Sequence, residues 1–386
     1  MQAPASVINH PNIIETFGQA SFEQLVQATY QGDPLADAVI AEFAQAGGAA
    51  RHALQTGLTA GLDQVKGDFP AVRAFLTAAE TLPAWVDVAQ LERGAQAYCS
   101  IGVLWLTLAL GPGSLVHTYS APTIADLLVQ TGDLEHMATK RIIETGTWGM
   151  AIAIPQALQR GGLGYVHSLQ VRLLHAQIRN SLLKRNWDQT KTGLPINQLE
   201  MVRTWLDFTY VPFTALARFG IDFTAAELGD LYHLWRYIGY LLGIDPTIYQ
   251  SVVDQASAAR LLDWVDSSMQ PPNASSRRLT AAMIQSVSEL VQPLINRSFK
   301  FSFALVTALT HHFHGRQLSR QLGIKRSWIS AFVPLVVLAN RWQRRKLRRN
   351  QSAWQAQIQT TANDFHERVV NANPTAYQAK KAVEQR

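Results

Sequence analysis

The stretch Val171-Arg172-Leu173-Leu174-His175-Ala176-Gln177-Ile178-Arg179 places one histidine on an apolar helical face. Arg172 precedes it by about one turn and Arg179 follows it by about one turn, because residues three and four apart share a face. Two interpretations of such a histidine are open. The more common one is a core residue whose ring hydrogen-bonds a carbonyl group. The other is a neutral imidazole that binds the iron of a haem.

Helical spacing continues on both sides of this stretch and predicts an all-α fold. Asp33-Pro34 is an N-cap followed by proline at the first helical position, and Gly47-Gly48 ends that helix. Thr224-Ala225-Ala226-Glu227 is a capping box ahead of a helix over residues 228–242, and Ser21-Phe22-Glu23-Gln24 is a second candidate. The glycine-rich patterns of the standard nucleotide-binding folds are absent from the sequence.

The composition favours a large apolar interior. Hydrophobic residues make up 47% of the 386 positions and charged residues only 16%, whereas soluble proteins carry about 25% charged residues. The net charge is +6, and much of the excess lies in Arg341-Trp342-Gln343-Arg344-Arg345-Lys346-Leu347-Arg348-Arg349. We interpret this run first as a solvated basic helix face and second as a contact with a membrane surface.

The termini and the cysteine content predict a cytoplasmic protein. Cys99 is the only cysteine, which excludes a disulfide within the chain and fits a reducing compartment. The first ten residues lack the pattern of a secretory signal. No apolar run reaches the roughly 18 to 20 residues that span a bilayer. The apolar stretch 331–339 leads into the basic run, and peripheral membrane contact is a second interpretation for it.

Residues 318–330 have the rhythm of a helix-turn-helix, with Gly323 at the turn. The residues that follow, Ala331-Phe332-Val333-Pro334, offer none of the side chains that read base edges. We therefore expect no nucleic-acid partner.

A polar edge is predicted on the helix that Gly132-Asp133-Leu134 opens. Arg141, Glu144 and Thr145 lie three and four positions apart and share one face of it. One interpretation is an Arg141–Glu144 surface ion pair with the Thr145 hydroxyl bonded to its own turn. The other is a polar patch that faces a ligand bound between helices.

Several segments together resemble the latex-clearing protein and rubber oxygenase superfamily, which also contains the fungal mycophenolic-acid-pathway oxygenase. The similarity is strongest over residues 82–245. The matching segments are Leu82-Pro83-Ala84-Trp85-Val86-Asp87, Thr131-Gly132-Asp133-Leu134, Arg141 to Thr145, Val171 to Ala176 with Arg179, Gly193-Leu194-Pro195-Ile196-Asn197-Gln198 with Thr204 and Phe208, and His233-Leu234-Trp235-Arg236-Tyr237 through Gly243.

The resemblance implies a globin-like helical core with additional helices around a non-covalent haem b. It assigns His175 as the proximal iron ligand, and we group Arg172 and Arg179 with it as cofactor-binding residues. On the distal side it assigns Arg141 and Thr145. The family's lysine before that threonine is replaced here by Glu144, which changes the charge over the iron. Members of the family also use a catalytic glutamate that lies earlier in the chain, and the resemblance makes Asp126 its nearest counterpart here.

The implied organisation has four parts. Residues 1–80 form a helical extension packed on the core, residues 81–270 the haem-binding oxygenase core, residues 271–350 peripheral C-terminal helices, and residues 351–386 a polar tail that frays.

The implied reaction is the cleavage of a carbon–carbon double bond by dioxygen, in a small intracellular isoprenoid or another apolar unsaturated molecule. Two alternative functions remain open. One is a haem protein with peroxidase-like or hydroxylating activity on a lipid. The other is a helical, membrane-associated binding protein without haem and without enzymatic activity.

Overall fold

The computed structural model describes residues 1–130 and 134–372, with only the backbone of 134–138, and contains helices but no β-strand over these ranges. The Thr131-Gly132-Asp133 part of the resemblance lies outside the described residues. The helices, in chain order, are α1 His10–Phe17, α2 Gln19–Thr29, α3 Pro34–Ala46, α4 Gly48–Ala60, a 3-10 turn Leu62–Gln64, α5 Pro70–Glu80, α6 Val88–Cys99, α7 Val103–Leu108, a π-helix Ala109–Leu115, α8 Val116–Ser120, α9 Pro122–Gln130, α10 Leu134–Ala151, α11 Leu163–Leu183, α12 Gln189–Thr192, α13 Gln198–Phe208, α14 Tyr210–Arg218, α15 Ala225–Leu241, α16 Pro246–Tyr249, α17 Gln255–Asp266, α18 Ala274–Ile295, α19 Phe299–Gln321, a 3-10 helix Trp328–Phe332, α20 Val333–Arg349 and α21 Gln351–Asn371.

Local capping signals explain where two of these helices begin. The Asp33 side chain accepts a hydrogen bond from the Ala36 N–H, and Pro34 opens α3. Thr224 and Glu227 form the predicted capping box of α15. The prediction at Ser21 is wrong, because α2 begins at Gln19, directly after Gly18.

The core consists of two clusters of buried side chains. The larger cluster surrounds the packed pair α6 and α15 and includes Trp205, Phe208 and Trp235. The smaller one forms where α18 and α19 pack on each other and on the π-helix, and it includes Met283. Helices α2 to α5, which fall within the predicted N-terminal extension, contribute buried residues to the larger cluster.

Two segments of the family resemblance contact each other across the fold. The His233 ring accepts a hydrogen bond at Nε2 from the Asp87 N–H, at 3.0 Å. The Arg236 guanidinium lies 4.6 Å from the centre of the Trp85 ring, within cation–π range. The loop before α6 is therefore fixed on α15.

The C-terminal predictions need two corrections. The segment after residue 272 is not peripheral, because α18 packs against α8, α9 and α10 and buries Met283. The polar segment from residue 351 does not fray over its first part, because Gln351–Asn371 is helix α21. Its buried residues Ile358 and Phe365 belong to the larger core cluster. Composition is a poor guide here because a few apolar side chains on one face suffice to hold a helix.

No individual helix among the described residues combines the length and the apolar character of a membrane span. By length and composition alone, Val88–Cys99 together with Val103–Ser120 meets the criterion as a pair, with a bend of 88° between the two helices.

Candidate active site

A largely apolar cavity of about 290 Å³ lies between the two core clusters. This volume is close to the lower end of the roughly 300–1,000 Å³ typical of small-molecule sites. Within the described part of the chain, its lining residues come from seven α-helices, the π-helix and the loops next to them. They are Leu115, Thr118, Tyr119, Ile124, Leu127, Leu128, Arg141, Ile142, Glu144, Thr145, Trp148, Val171, Leu174, His175, Ile178, Ile196, Glu200, Met201, Thr204, Trp205, Phe208, Trp235, Leu242, Ile244, Leu279 and Met283.

His175 lies on α11 and lines this cavity. Its Nδ1 atom is buried and has no hydrogen-bond partner among the described residues, so the interpretation as a core histidine bonded to a carbonyl through this atom does not hold. Burial, followed by the charge of Arg179, lowers the pKa of His175 to about 4, although Asp33 opposes the shift. The imidazole is therefore neutral near pH 7, which is the state that binds a metal ion.

Arg172 and Arg179 are not among the residues that line the cavity, and their assignment as cofactor-binding residues stays a prediction. Arg172 forms a buried two-point ion pair with Asp33, at 2.6 and 2.9 Å. Arg179 binds Asp37 at 2.7 Å through Nη2 and also donates to the carbonyl oxygen of Ile196. Both guanidinium groups thus hold α11 against α3. Removing one partner of a buried pair costs about 3–5 kcal/mol, so these contacts fix the position of His175.

Gly243 makes room for the first of these ion pairs. A β-carbon at this position would collide with the Asp33 carboxylate and the Arg172 guanidinium, and the backbone has a φ of 73° that side chains rarely adopt. The Gln198 amide donates to the carbonyl oxygens of Gly243 and Gly32 and accepts from the Asp245 N–H. The loop after α15 is thereby tied to the loop before α3.

Arg141, Glu144 and Thr145 all line the cavity, as the second interpretation of this helix edge predicts. The Arg141 guanidinium donates to the Leu128 carbonyl oxygen at 3.0 Å. Burial lowers the pKa of Arg141, while Tyr119 and Glu144 oppose that shift. The Glu144 carboxylate lies 3.7 Å from Lys140 one turn earlier. The edge therefore brings a cation, a carboxylate and a hydroxyl to one cavity.

Asp126 is not among the residues that line the cavity, so the structure does not bring it to the other predicted site residues, and its role as a catalytic base stays a prediction. Both of its carboxylate oxygens accept from the Asn273 side chain, at 3.0 Å. Asn273 is the N-cap of α18, so Asp126 helps to seat that helix.

Glu200 lines the cavity as a second acid beside Glu144, and sequence reasoning missed it. Burial raises the pKa of Glu200 to about 7, although hydrogen bonds from Thr123, Ile196 and Asn197 oppose the shift. The only local signal is its spacing from Asn197, whose side chain accepts from the Glu200 N–H at 3.0 Å and caps α13. That spacing predicts a helix N-cap at Asn197 and gives no indication that the Glu200 side chain lines a cavity.

A network of buried charges lies behind the cavity wall formed by α8 and α13. His117 bridges two carboxylates, with Nδ1 2.6 Å from Asp207 and Nε2 3.0 Å from Asp266. Arg203 binds Asp266 at 2.9 Å and Asp207 at 3.5 Å. Two cations therefore balance two anions at the helices that carry Thr118, Tyr119 and Glu200.

The charge of His117 is set by opposing effects. Burial and Arg203 lower its pKa, but Asp207 and Asp266 outweigh them and raise it to about 9. His314, whose Nε2 lies 2.8 Å from the Pro112 carbonyl oxygen, has its pKa lowered to about 4 by burial and then by the charge of His117. One of these two histidines is therefore charged near pH 7 and the other is neutral.

We expect the stability of the folded protein to fall as the pH rises from about 6.5 to about 9. The folded-state pKa of His117 exceeds its unfolded value of 6.5, so its contribution is complete below pH 6.5 and is lost as the ring deprotonates. The measurement is the thermal midpoint as a function of pH. His117→Gln is expected to lose about 3 kcal/mol and to flatten this pH dependence. The same slope in the variant and the parent would show that another group titrates.

The comparisons with known proteins agree with this architecture. Residues 99–342 match a family described as the ER-bound oxygenase mpaB/B′/rubber oxygenase catalytic domain. A rubber oxygenase from Streptomyces sp. (strain K30) is 25% identical over 284 residues, which are 72% of this chain and 69% of that protein.

A solved structure of latex clearing protein LCP in the closed state matches with a TM-score of 0.65 and 20% identity. The match covers 89% of this chain and 91% of the LCP chain. It confirms the predicted fold class, an all-α protein with a globin-like core and additional helices. Together with the family match over more than half of the sequence, it leads to one conclusion: this chain is a member of the mpaB and rubber oxygenase family of oxygenases.

Proposed function

We propose that this protein is a haem b-dependent oxygenase that uses dioxygen to cleave a carbon–carbon double bond in an isoprenoid or another apolar unsaturated molecule. The observation that carries the proposal is His175, a neutral imidazole that lines an apolar cavity and whose Nδ1 atom is buried. Membership in an oxygenase family supports the reaction class, and the lining of the cavity supports the apolar substrate.

The residues of the cavity fit a haem. His175 would hold the iron, since its ring is neutral and its Nδ1 has no partner among the described residues. No group of three or more histidine, cysteine or acidic side chains in the described ranges could hold a metal ion without a porphyrin. Apolar side chains such as Leu174 and Ile178 flank the histidine and suit the faces of a macrocycle. When bound, haem b would supply the binding and activation of dioxygen.

The chain's own polar groups have separate roles in this proposal. Arg141 supplies a fixed positive charge at the cavity, which stabilises negative charge as it develops on the reacting atoms. Thr145 supplies a hydroxyl one turn later on the same helix. Glu144 places a carboxylate where the family resemblance implies a lysine, which makes the local field less positive than a lysine would.

Glu200 is our candidate for the general base. It lines the cavity, and its pKa of about 7 allows it to exchange a proton near neutral pH. Thr123 and the backbone N–H groups of Ile196 and Asn197 orient its carboxylate. We prefer this acid to Asp126 for the role of base, because Glu200 lines the cavity and Asp126 does not.

Glu200→Gln is expected to slow turnover about 100-fold, because the amide cannot accept a proton. The parent's activity should rise as the pH passes through about 7, and that rise should disappear in the variant. The measurement is the rate of oxygen uptake between pH 6 and 8. Glu289→Gln, at an exposed acid that accepts from Gln285, is the control. Equal rates and equal pH profiles in Glu200→Gln and the parent would remove Glu200 from the mechanism.

The proposal as a whole is tested by an absorption spectrum followed by product analysis. Protein produced with an ample supply of haem precursor should show a Soret band. It should consume dioxygen with an unsaturated isoprenoid and yield carbonyl products on both sides of the broken bond. Hydroxylated products, or a requirement for peroxide, would instead assign the alternative haem chemistry. Absence of a Soret band would favour the binding protein without haem.

A further inference from the structure

Large apolar side chains cover the outer face of the last but one helix. We define the outer α20 face as Trp328, Phe332, Leu335, Leu338 and Trp342. Each of these side chains is at least half exposed, and the two tryptophans are 66% and 67% exposed. On α20, a spacing of three and four residues places Leu335, Leu338 and Trp342 along one side. The Trp328 and Phe332 rings on the preceding 3-10 helix lie 6.1 Å apart. A contiguous apolar patch of this kind marks an interaction surface.

The opposite side of the same segment is firmly attached to the protein. Ile329 and Val333 are buried in the smaller core cluster. The Asn340 amide donates to the Phe219 carbonyl oxygen at 2.9 Å, and Arg344 donates to the Asp222 carbonyl oxygen at 2.7 Å. The outer α20 face is therefore held in a fixed position by the body of the protein, and its exposure does not come from a detached helix.

Positive charge surrounds this apolar face. The sequence contains no aspartate or glutamate between Glu289 and Asp364. Exposed cations lie before the face at Lys325 and Arg326 and after it at Arg341, Arg345, Lys346 and Arg349. The Lys346 ammonium lies 5.3 Å from the centre of the Trp342 ring. An apolar helix face with tryptophans and a basic border is the pattern that lies in the interface of an anionic membrane.

We propose that the outer α20 face docks on the surface of an anionic phospholipid bilayer. Trp328 and Trp342 would enter the headgroup region, and the surrounding lysines and arginines would bind phosphate groups. A second copy of this chain is a poorer occupant, because two positively charged borders would meet. The C-terminal residues 373–386 are also a poorer occupant, since their sequence is polar and carries more lysine and arginine than acid.

The proposal is tested by sedimentation of the full chain with lipid vesicles. We expect binding to vesicles of phosphatidylcholine mixed with phosphatidylglycerol, weak binding to phosphatidylcholine alone, and release as the salt concentration rises. Trp328→Ser combined with Trp342→Ser should weaken binding at least about 10-fold. Arg345→Glu combined with Lys346→Glu should abolish the preference for the anionic vesicles. These readouts require neither haem nor turnover, so they stand apart from the test of the proposed function.

Val253→Ser, at a side chain that is 50% exposed in the loop before α17, is the matched control and should bind like the parent. Thermal midpoints would establish that all variants are folded. Equal sedimentation of the double tryptophan variant and the parent would overturn the proposal. So would a dimer of the parent that the two serine substitutions dissociate, because the face would then belong to a second copy.

Discussion

His175→Ala is expected to yield a folded protein that has lost its haem. A non-covalent haem depends on the bond between the iron and its protein ligand. Changes at residues that merely support a metal ligand cost 10- to 100-fold in affinity, so removal of the ligand itself should cost at least about 100-fold. The Nδ1 of His175 has no hydrogen-bond partner in the described ranges, so the substitution strands no buried donor or acceptor at that atom. The measurements are the ratio of Soret to protein absorbance and the thermal midpoint of the haem-free protein.

A matched control for this experiment lies on the same helix. His167 is also on α11, and burial lowers its pKa, but it does not line the cavity. His167→Ala should retain its haem. His175→Gly offers a second measurement, because free imidazole added to this variant should restore a Soret band. A His175→Ala protein with full haem content would show that the iron ligand is a different residue.

Arg141→Ala is expected to keep its haem and to turn over about 100-fold more slowly. The reason is that a preorganised charge in a cavity shielded from water stabilises developing negative charge far better than the same charge in water. Arg141 is partly buried at the cavity wall. The measurement is kcat for oxygen uptake, normalised to haem content.

Two further variants test this prediction, one that keeps the charge at position 141 and one that removes a different arginine as a control. Arg141→Lys keeps a cation but not the planar guanidinium, so its rate should lie between those of the alanine variant and the parent. Arg160→Ala removes an exposed arginine that pairs with Glu80 and Asp63 and should leave the rate unchanged. If Arg141→Ala turned over at the parental rate, its charge would have no part in the reaction.

The parts of the fold that depend on local chemistry could be predicted from the sequence. The caps at Asp33 and Thr224 act on backbone groups only a few residues away, so their helices begin where expected. The sequence singles out His175 because the apolar helical face and the short motif that mark it consist of residues within about one helical turn of it. The error at Ser21 has a local cause as well, since Gly18 ends α1 and α2 follows without a side-chain cap.

The parts that depend on distant contacts could not be predicted in this way. Asp126 and Glu200 are both acids near helix starts, and only the packing of α9 against α18 and of α13 against the cavity tells their roles apart. Arg172 and Arg179 flank the histidine in sequence, but the carboxylates that bind them lie on α3. Met283 reaches the cavity from a helix that the composition marks as peripheral.

The salt bridges that connect α11 to Asp33 and Asp37 also limit how far the chain can be truncated. The segment recognised as the catalytic domain spans residues 99–342, and Asp33 and Asp37 lie outside it. A fragment trimmed to that segment would leave two arginines in its interior without counter-ions, which proteins rarely tolerate. We therefore expect that the matched segment does not fold on its own, and that a shortened form of this chain must retain Asp33 and everything after it through residue 342.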